Sequence, residues 1–401
     1  MPKHFQAVKV SEHVYWVGAV DWVSRDFHGY STPRGTTYNA FLVMADKVTL
    51  IDSVKAPFRE EFLTRVASVI DPVDIDLIVS NHSEMDHTGC LLDVADMVEP
   101  SRIVASPMGQ KTIAAQFPGR PEVDVVKDGE SLDLGNMELR FFETRMLHWP
   151  DSMFSYLADD RVLFSQDAFG MHYATCERFD DQLDPFVLDY EAGKYFANIL
   201  MPYSPMVTKL AGRLGELDLA LDLVAPDHGP LWRKDITGIV EKYARWAKQE
   251  PTMKAVIPFD TMWGSTEKLA RSIAEGLHDG GACSRLLPMS GTDRATVATE
   301  ILGAGALVLG SPTINNQMFP RMADILAYLK GLKPRNLIGG VFGSYGWSGE
   351  AIGQLTDALG EMQIEVVTEP MKHTFVPDGA VLEQAREWGR GIAEEMGRRI
   401  G

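Results

Sequence analysis

The hexapeptide His82-Ser83-Glu84-Met85-Asp86-His87 contains four side chains that can bind a metal. It follows the apolar run Leu77-Ile78-Val79-Ser80, which is typical of a buried strand. A strand that leads two imidazoles and two carboxylates into one tight loop indicates a metal site. Nitrogen and oxygen ligands without a thiolate favour iron or manganese over structural zinc.

Three further candidate metal ligands lie in later loops: His148, Asp167 and His228. With the hexapeptide they make a set too large for one ion. The set suits two ions that share a carboxylate, because shared negative charge offsets the repulsion between two cations. Asp167 is the natural bridge, since it lies between the two single-histidine loops and apart from the hexapeptide. Asp227 and Asp52 are predicted to orient the imidazoles.

A second group of candidate residues forms three loops in the C-terminal part of the chain, each after a predicted strand. The first loop opens a helix and offers hydroxyl and backbone N–H groups to a phosphate, without any Arg or Lys. In the other two loops, small residues let the backbone approach a flat ring, and Tyr345 or Trp347 can stack on it. The first loop has no G-x-G-x-x-G fingerprint, so FMN is favoured over a nicotinamide dinucleotide. The predicted FMN-binding residues are Thr261, Met262, Trp263, Gly264, Ser265, Thr266, Ser311, Pro312, Thr313, Asn315, Asn316, Ser344, Tyr345, Gly346, Trp347, Ser348 and Gly349.

Two different scaffolds are needed to position these two groups. Up to about residue 250, short apolar runs alternate with loops that contain Gly and Pro, and several runs end at a candidate ligand. From residue 251 onward, five predicted strands alternate with five predicted helices. This alternation predicts a doubly wound α/β fold with a parallel sheet. We therefore predict a metal-binding domain over residues 1–250 and an FMN-binding domain over residues 251–401.

The composition argues against several classes of binding partner and metal site. The chain has 401 residues, 45% of them hydrophobic, and a formal net charge of -18, which argues against general binding to nucleic acid or anionic membranes. No apolar stretch is long enough to cross a bilayer and no secretory signal is evident, so we expect a cytoplasmic protein. Cys90, Cys176 and Cys283 form no C-x-x-C pair, which argues against a thiolate zinc site, an iron–sulfur cluster or an appended rubredoxin module. They are predicted to be buried apolar fillers.

The ligand set resembles that of the metallo-β-lactamase fold, whose usual motif is H-x-H-x-D-H followed by later His, Asp and His ligands. Glu84 stands where the second histidine would be. With the flavin loops, this substitution resembles the flavodiiron proteins, also called A-type flavoproteins or rubredoxin:oxygen oxidoreductases, and the resemblance spans essentially the whole chain. It implies a metallo-β-lactamase-like αβ/βα sandwich followed by a flavodoxin-like domain.

The same resemblance implies two non-haem irons per subunit. One would be held by His82, Glu84 and His148, the other by Asp86, His87 and His228, with Asp167 as the bridge. His87 stays open as a ligand, because water replaces the residue at this position in some members of the family.

By this resemblance, reduced FMN passes electrons to the diiron site, which reduces dioxygen to water, nitric oxide to nitrous oxide, or both. A rubredoxin-like carrier would supply the electrons, and a head-to-tail homodimer, alone or paired into a tetramer, would bring one subunit's FMN beside the other's irons.

Two other functions stay open at this point. One is a dinuclear zinc hydrolase of the metallo-β-lactamase class, against which Glu84 weighs. The other is an electron-transfer flavoprotein whose degenerate metal domain only mediates dimerisation, against which the complete ligand set weighs. Trp149 and Tyr195 are candidates to flank the metal pocket, and His172 is a candidate proton donor behind it.

Overall fold

The computed structural model describes residues 4–100 and 102–401. The chain divides into two compact units: unit one is Met1–Tyr195 with Tyr203–Ala244, and unit two is Phe196–Pro202 with Arg245–Gly401. Across the described residues, none of the helices is long and apolar enough to cross a membrane. The cytoplasmic location stays a prediction.

Unit one is built from short strands and seven α-helices, the last of which continues past Ala244. In chain order the strands are β1 (Val8–Lys9), β2 (Val14–Trp16), β3 (Ala19–Asp21), β4 (Asp26–Phe27), β5 (Tyr30–Ser31), β6 (Thr36–Tyr38), β7 (Phe41–Val43), β8 (Thr49–Ile51), β9 (Leu77–Ser80), β10 (Arg102–Ala105), β11 (Asp124–Val125), β12 (Ser131–Asp133), β13 (Glu138–Glu143), β14 (Met153–Leu157), β15 (Val162–Gln166) and β16 (Leu223–Pro226). The α-helices are α1 (Arg59–Val69), α2 (Met85–Thr88), α3 (Leu91–Val98), α4 (Pro107–Gln116), α5 (Pro185–Tyr195), α6 (Ser204–Leu217) and α7 (Ile236–Lys248). Shorter 3₁₀ turns cover Ala56–Phe58, Pro72–Asp74 and Asp180–Gln182, and a fourth, Met201–Tyr203, begins in unit two and ends in unit one.

Two sheets form the body of unit one. The first has the strand order β1-β2-β7-β8-β9-β10-β11 and the second the order β12-β13-β14-β15-β16. Apolar side chains from both sheets, among them Trp16, Phe41 and Phe164, form a single core. A separate core joins the first sheet to α1, α3 and α4. This layering of sheet on sheet with helices outside is that of the predicted sandwich.

Unit two is a doubly wound α/β unit. Its strands are β17 (Lys254–Phe259), β18 (Cys283–Pro288), β19 (Ala306–Gly310), β20 (Thr313–Ile314), β21 (Gln317–Met318), β22 (Ile338–Tyr345), β23 (Glu365–Val366) and β24 (Met371–Thr374). Its α-helices are α8 (Ser265–Asp279), α9 (Arg294–Ile301), α10 (Pro320–Leu332), α11 (Glu350–Glu361) and α12 (Gly379–Ile400), and the π-helical segment Phe196–Leu200 also belongs to this unit. The central strands β17, β19 and β22 are buried along nearly their whole length, as expected for a sheet covered on both faces.

The sheet of unit two has the parallel order β18-β17-β19-β22-β23. The five strands and five helices therefore appear as the sequence pattern predicted. The pattern missed the hairpin β20–β21 and the strand β24, which pairs with the last residues of β22. These elements are too short to produce a hydrophobic period in the sequence.

The cysteines only partly match their prediction. Cys90 is buried, but Cys176 and Cys283 are exposed. The prediction of buried fillers is therefore wrong for these two. Cys176 lies in a loop, and Cys283 begins the edge strand β18.

Helices α8 and α12 pack so closely that a glycine is required between them. A Cβ at Gly389 would lie 2.2 Å from the backbone oxygen of Ile273, whereas a Cβ at Gly391, two residues further along α12, would meet nothing within 4 Å. Backbone atoms cannot move aside as a flexible side chain can.

We expect Gly389→Ala to lower the free energy of unfolding of unit two by about 3 kcal/mol, because the new methyl group overpacks the crossing. Gly391→Ala is the matched control in the same helix, and we expect it to raise stability by up to about 1 kcal/mol through its better helix propensity. Chemical denaturation followed by circular dichroism measures both. Equal stabilities for the two variants would contradict this account of the packing.

Candidate metal centre and flavin cavity

The seven predicted metal ligands meet where strands from both sheets of unit one end. Each side chain follows a strand, lies in a short connection or belongs to the four-residue helix α2. His82 follows β9, Glu84 precedes α2, Asp86 and His87 lie within α2, His148 lies between β13 and β14, Asp167 directly follows β15, and His228 follows β16.

Local backbone irregularity aims Asp167 at the site. The pairing of β15 with β16 shifts its register between Phe164 and Gln166, and Gln166 has a positive φ of 43°. Bulges of this kind redirect the residue that follows. The Gln166 side chain accepts a hydrogen bond from the Asp167 backbone N–H (2.6 Å) and donates one to the Leu147 carbonyl (2.5 Å). Gln166 therefore ties the Asp167 position to the loop that carries His148.

Four donor atoms form a first metal pocket: His82 Nε2, His148 Nε2, Glu84 Oε2 and Asp167 Oδ2. Each imidazole nitrogen lies 3.0 Å from Asp167 Oδ2 and 3.3 Å from Glu84 Oε2. Two ligand atoms that each lie about 2.1 Å from one ion, at right angles to one another, are about 3 Å apart. The spacing therefore suits a single ion.

A second metal pocket lies on the other side of Asp167. His87 Nε2 and His228 Nε2 are each 3.2 Å from Asp86 Oδ2, and they lie 3.7 Å and 3.6 Å from Asp167 Oδ1. Asp167 thus turns one carboxylate oxygen to each pocket, which is the arrangement expected of a bridging ligand. The structure brings His87 as close to this pocket as His228.

The inward-facing atoms of both pockets fit bound cations. The buried Nε2 atoms of His87, His148 and His228 and both carboxylate oxygens of Asp86 and Asp167 have no hydrogen-bond partner among the described residues. Buried polar atoms are normally satisfied, and leaving so many unpaired together is costly. One cation in each pocket would satisfy all of them, and nitrogen and carboxylate donors without thiolates suit iron.

The electrostatics of the cluster also call for cations. Burial would raise the pKa of Asp167, but the adjacent imidazoles of His82 and His148, each 3.0 Å from Asp167 Oδ2, hold it well below its usual range. In the same way, His87 and His228 outweigh the burial of Asp86 and hold its pKa well down. Behind them, burial and the charges of other carboxylates raise the pKa of Asp227 well above normal. An ionised carboxylate in a buried site requires positive charge beside it, which a cation in each pocket would supply.

Oxygen atoms lie near the outer nitrogens of two of the imidazoles. His228 Nδ1 donates to the Thr37 carbonyl (2.6 Å). Asp227 Oδ2 lies 3.7 Å from His87 Nδ1, which is longer than a hydrogen bond, and its orienting role stays a prediction. Asp52 instead accepts a hydrogen bond from the backbone N–H of Asn81, beside His82. Burial raises the pKa of Asp52 to about 6.

The aromatic candidates surround the metal pockets. Trp149 stands edge-on to His82, with ring centroids 5.5 Å apart. His172 lies 4.7 Å from His228 between ring centroids, and its Nδ1 is 2.8 Å from Thr36 Oγ1. The ring of Tyr195 is 5.1 Å from that of His172. Their direct roles stay predictions.

Sequence reasoning missed His28, which lies at the turn between β4 and β5. Its Nε2 is 2.8 Å from Glu84 Oε1, the oxygen that does not face the first pocket. The only signal in the sequence was a histidine next to a glycine in a turn, and such residues are common on protein surfaces.

The predicted flavin loops of unit two surround a cavity of about 610 Å³, a size typical of small-ligand sites. Its described lining residues carry no charged side chain and are Met262, Trp263, Ser265, Pro312, Thr313, Ile314, Asn315, Asn316, Ser344, Tyr345, Gly346, Trp347, Ser348, Phe375 and Val376. Most of the predicted set therefore lines the cavity, and Ile314, Phe375 and Val376 join it. Phe375 and Val376 follow β24, the strand that the sequence did not predict.

Five predicted residues are not among the lining residues of the cavity: Thr261, Gly264, Thr266, Ser311 and Gly349. Gly264 precedes α8 with a φ of 82°, a conformation that glycine adopts without strain, and its N–H donates to Thr261 Oγ1 (3.1 Å). Thr266 Oγ1 and Ser344 Oγ are 2.9 Å apart and join the first loop to the third. The N-terminus of α8 thereby presents unpaired backbone N–H groups beside Ser265, where a phosphate fits.

Comparison with known proteins extends over the whole chain. Residues 36–229 match the model of the ODP family beta lactamase, and residues 257–389 match the flavodoxin model. The chain is 44% identical to the nitric oxide reductase of Moorella thermoacetica over 398 residues, which cover 98% of this chain and 99% of that protein.

Two solved structures are similar over nearly their full length. The rubredoxin oxygen:oxidoreductase of Desulfovibrio gigas is 44% identical with a TM-score of 0.96, and the match covers 99% of this chain and 100% of that one. The flavodiiron protein of Giardia intestinalis is 32% identical with a TM-score of 0.96, over 100% of this chain and 99% of that one. These matches confirm the predicted fold of both domains.

The neutral phosphate site yields a prediction. We expect Ser265→Asp to weaken FMN binding by at least about 10-fold, because a carboxylate at the start of α8 repels the phosphate. Fluorescence titration of the flavin-free protein measures the dissociation constant. Ser265→Asn is the uncharged control, and riboflavin, which lacks the phosphate, is the control ligand. If Ser265→Asp weakened riboflavin binding as much as FMN binding, the phosphate would not lie there.

Proposed function

The chain belongs to the flavodiiron protein family, and from this premise we propose that it is an FMN-dependent reductase of dioxygen, nitric oxide or both. The observation that carries the proposal is the pair of metal pockets joined by the two oxygens of Asp167, with Glu84 as a donor in the first pocket. The FMN cavity in the same chain supplies the second half of a redox enzyme.

The electrons that each overall reaction needs can be supplied by the cofactors that fit these sites. Dioxygen takes four electrons and four protons to give two waters, and two nitric oxide molecules take two electrons and two protons to give nitrous oxide and one water. Two ferrous ions supply two electrons and reduced FMN supplies two more.

The protein residues hold and shield this chemistry. The side chains of His82, His87 and His228 are fully buried, whereas those of Glu84 and His148 keep partial exposure. Small molecules therefore reach the centre from the side of the first pocket. His28, hydrogen-bonded to the outer oxygen of Glu84, lies on the same side.

We further propose a rubredoxin-like protein as the electron donor. The support is the similarity to the Desulfovibrio gigas enzyme, which is a rubredoxin oxygen:oxidoreductase. A test is whether reduced rubredoxin transfers electrons to the bound FMN in a stopped-flow experiment, with a flavin-free preparation as the control.

Anaerobic reduction followed by exposure to each gas tests the proposed function. We expect rapid return of the oxidised flavin spectrum with dioxygen or nitric oxide, giving water without free hydrogen peroxide, or nitrous oxide. Glu84→Gln removes negative charge from the first pocket, and we expect it to slow reoxidation at least about 10-fold while FMN content is unchanged.

Purified protein with zinc in place of iron would contradict the proposal and favour the hydrolase. A wild-type protein that neither gas reoxidises rapidly would contradict it as well. Matched concentrations of the two gases would establish which of them is preferred.

We also propose the head-to-tail homodimer, because electrons must pass over a short distance between cofactors bound to different units. Its support is the exposed apolar surface at the flavin cavity, where Trp263 and Trp347 are 88% and 90% exposed. Apolar side chains so exposed are typical of an interface. In unit one, Trp22 and Val23, in the loop that precedes His28, are also exposed.

We expect the double substitution Trp263→Ser and Trp347→Ser to weaken self-association by at least about 30-fold, as loss of buried aromatic anchors does. Sedimentation velocity over a dilution series measures it. Val73→Ser, at an exposed apolar residue of a 3₁₀ turn, is the control. The proposed interface would be contradicted if the tryptophan variant remained a dimer or if the wild type were a monomer. It would be supported if the wild type were a tetramer and the variant a smaller species.

A further inference from the structure

A buried carboxylate outside the ligand set lies behind the first metal pocket. Asp151 is 2% exposed and follows His148 by three residues, in the connection between β13 and β14. Its Oδ2 accepts hydrogen bonds from the backbone N–H of Ser83 (2.8 Å) and from the Ser83 hydroxyl. Ser83 is the residue between the two ligands His82 and Glu84.

Asp151 is itself fixed from behind. Its backbone carbonyl accepts a hydrogen bond from Ser106 Oγ (2.8 Å), and the same Ser106 side chain caps the first turn of α4. The carboxylate therefore joins the loop of His148 to the loop of His82 and Glu84, with α4 as a support. These two loops supply three of the four side chains of the first pocket.

The second oxygen of Asp151 faces the outer nitrogen of a ligand. Asp151 Oδ1 lies 3.9 Å from His82 Nδ1, and neither atom has a hydrogen-bond partner in the part of the chain that the structure describes. When Nε2 of an imidazole binds a metal, Nδ1 carries the proton and needs an acceptor. Asp151 is placed to be that acceptor after a small shift.

A carboxylate in a similar position lies behind the second pocket and can be compared with Asp151. Asp227, also fully buried, places Oδ2 3.7 Å from His87 Nδ1. Asp227 thus approaches an imidazole of the second pocket, and Asp151 approaches an imidazole of the first.

We propose that Asp151 is a positioning residue that sets the affinity of the first metal pocket, by clamping Ser83 between His82 and Glu84 and by accepting the proton of His82 Nδ1. The inference rests on the proposed two-metal function. It does not rest on which metal is bound. Asn at position 151 keeps an oxygen for Ser83 but turns an N–H₂ group, a donor, toward the donor Nδ1–H of His82.

The test is a metal titration of the apo protein with FMN bound. We expect Asp151→Asn to retain one tightly bound Fe²⁺ and to weaken the other by about 10- to 100-fold, as measured by anaerobic equilibrium dialysis. Asp227→Asn is the matched variant, and we expect it to weaken the opposite site. Mössbauer spectra of ⁵⁷Fe-loaded protein identify the site lost, with His148→Ala and His228→Ala as references for the first and second pockets.

Three outcomes would overturn the proposal. One is binding of both ions by Asp151→Asn with wild-type affinity; another is equal weakening of both sites; the third is loss of the same site in Asp151→Asn and Asp227→Asn. If Asp151→Asn does not fold, Ser83→Ala decides, because it removes only the hydroxyl contact. A fall in affinity of several-fold confined to the first pocket supports the proposal, and unchanged affinity overturns it.

A parallel titration with Zn²⁺ separates this inference from the proposed function. If the wild-type protein proved to be a zinc protein, the reductase function would fail. A selective loss of Zn²⁺ from the first pocket in Asp151→Asn would still support the positioning role.

Discussion

The buried carboxylate of Asp167 is the interaction on which the metal-binding unit depends. It is fully buried and has two histidines against each of its oxygens. An ionised carboxylate in such a place is tolerated only beside positive charge. A cation on each side satisfies this need and holds the imidazoles with their Nε2 atoms inward, so one buried charge organises both pockets.

The fold meets this constraint with rigid elements. The ligands stand at the ends of paired strands or in short connections, and side chains behind them fix those connections: Gln166 holds Asp167, and Asp151 holds the loop of His82. The flavin cavity differs from the metal centre because its described lining has no charged side chain. Helix α8 offers backbone N–H groups there instead. A chain with a net charge of -18 thus offers a strongly negative site to cations and a neutral one to a phosphate.

The sequence predicted those parts of the site that leave a local pattern. The hexapeptide from His82 to His87 is contiguous, and Asp167 and His228 each follow a clear apolar run, so their meeting at strand ends was foreseeable. His28 and Asp151 were not foreseeable, because each acts across the chain through one contact that only the folded loops create. Strand β24 is only four residues long and partly exposed, so its composition does not predict a strand that brings two apolar residues to the flavin cavity.

The presence of a glutamate at position 84 is explained by the number of carboxylates in each metal pocket. The second pocket has Asp86 and a share of Asp167, with two imidazoles. With Glu84 the first pocket has the same composition: one carboxylate of its own, a share of Asp167, and two imidazoles. A histidine at position 84 would leave the first pocket with three imidazoles and only the shared carboxylate. Glu84 therefore gives the two pockets the same number and types of ligand, and His28 Nε2 contacts the oxygen of Glu84 that does not face the first pocket.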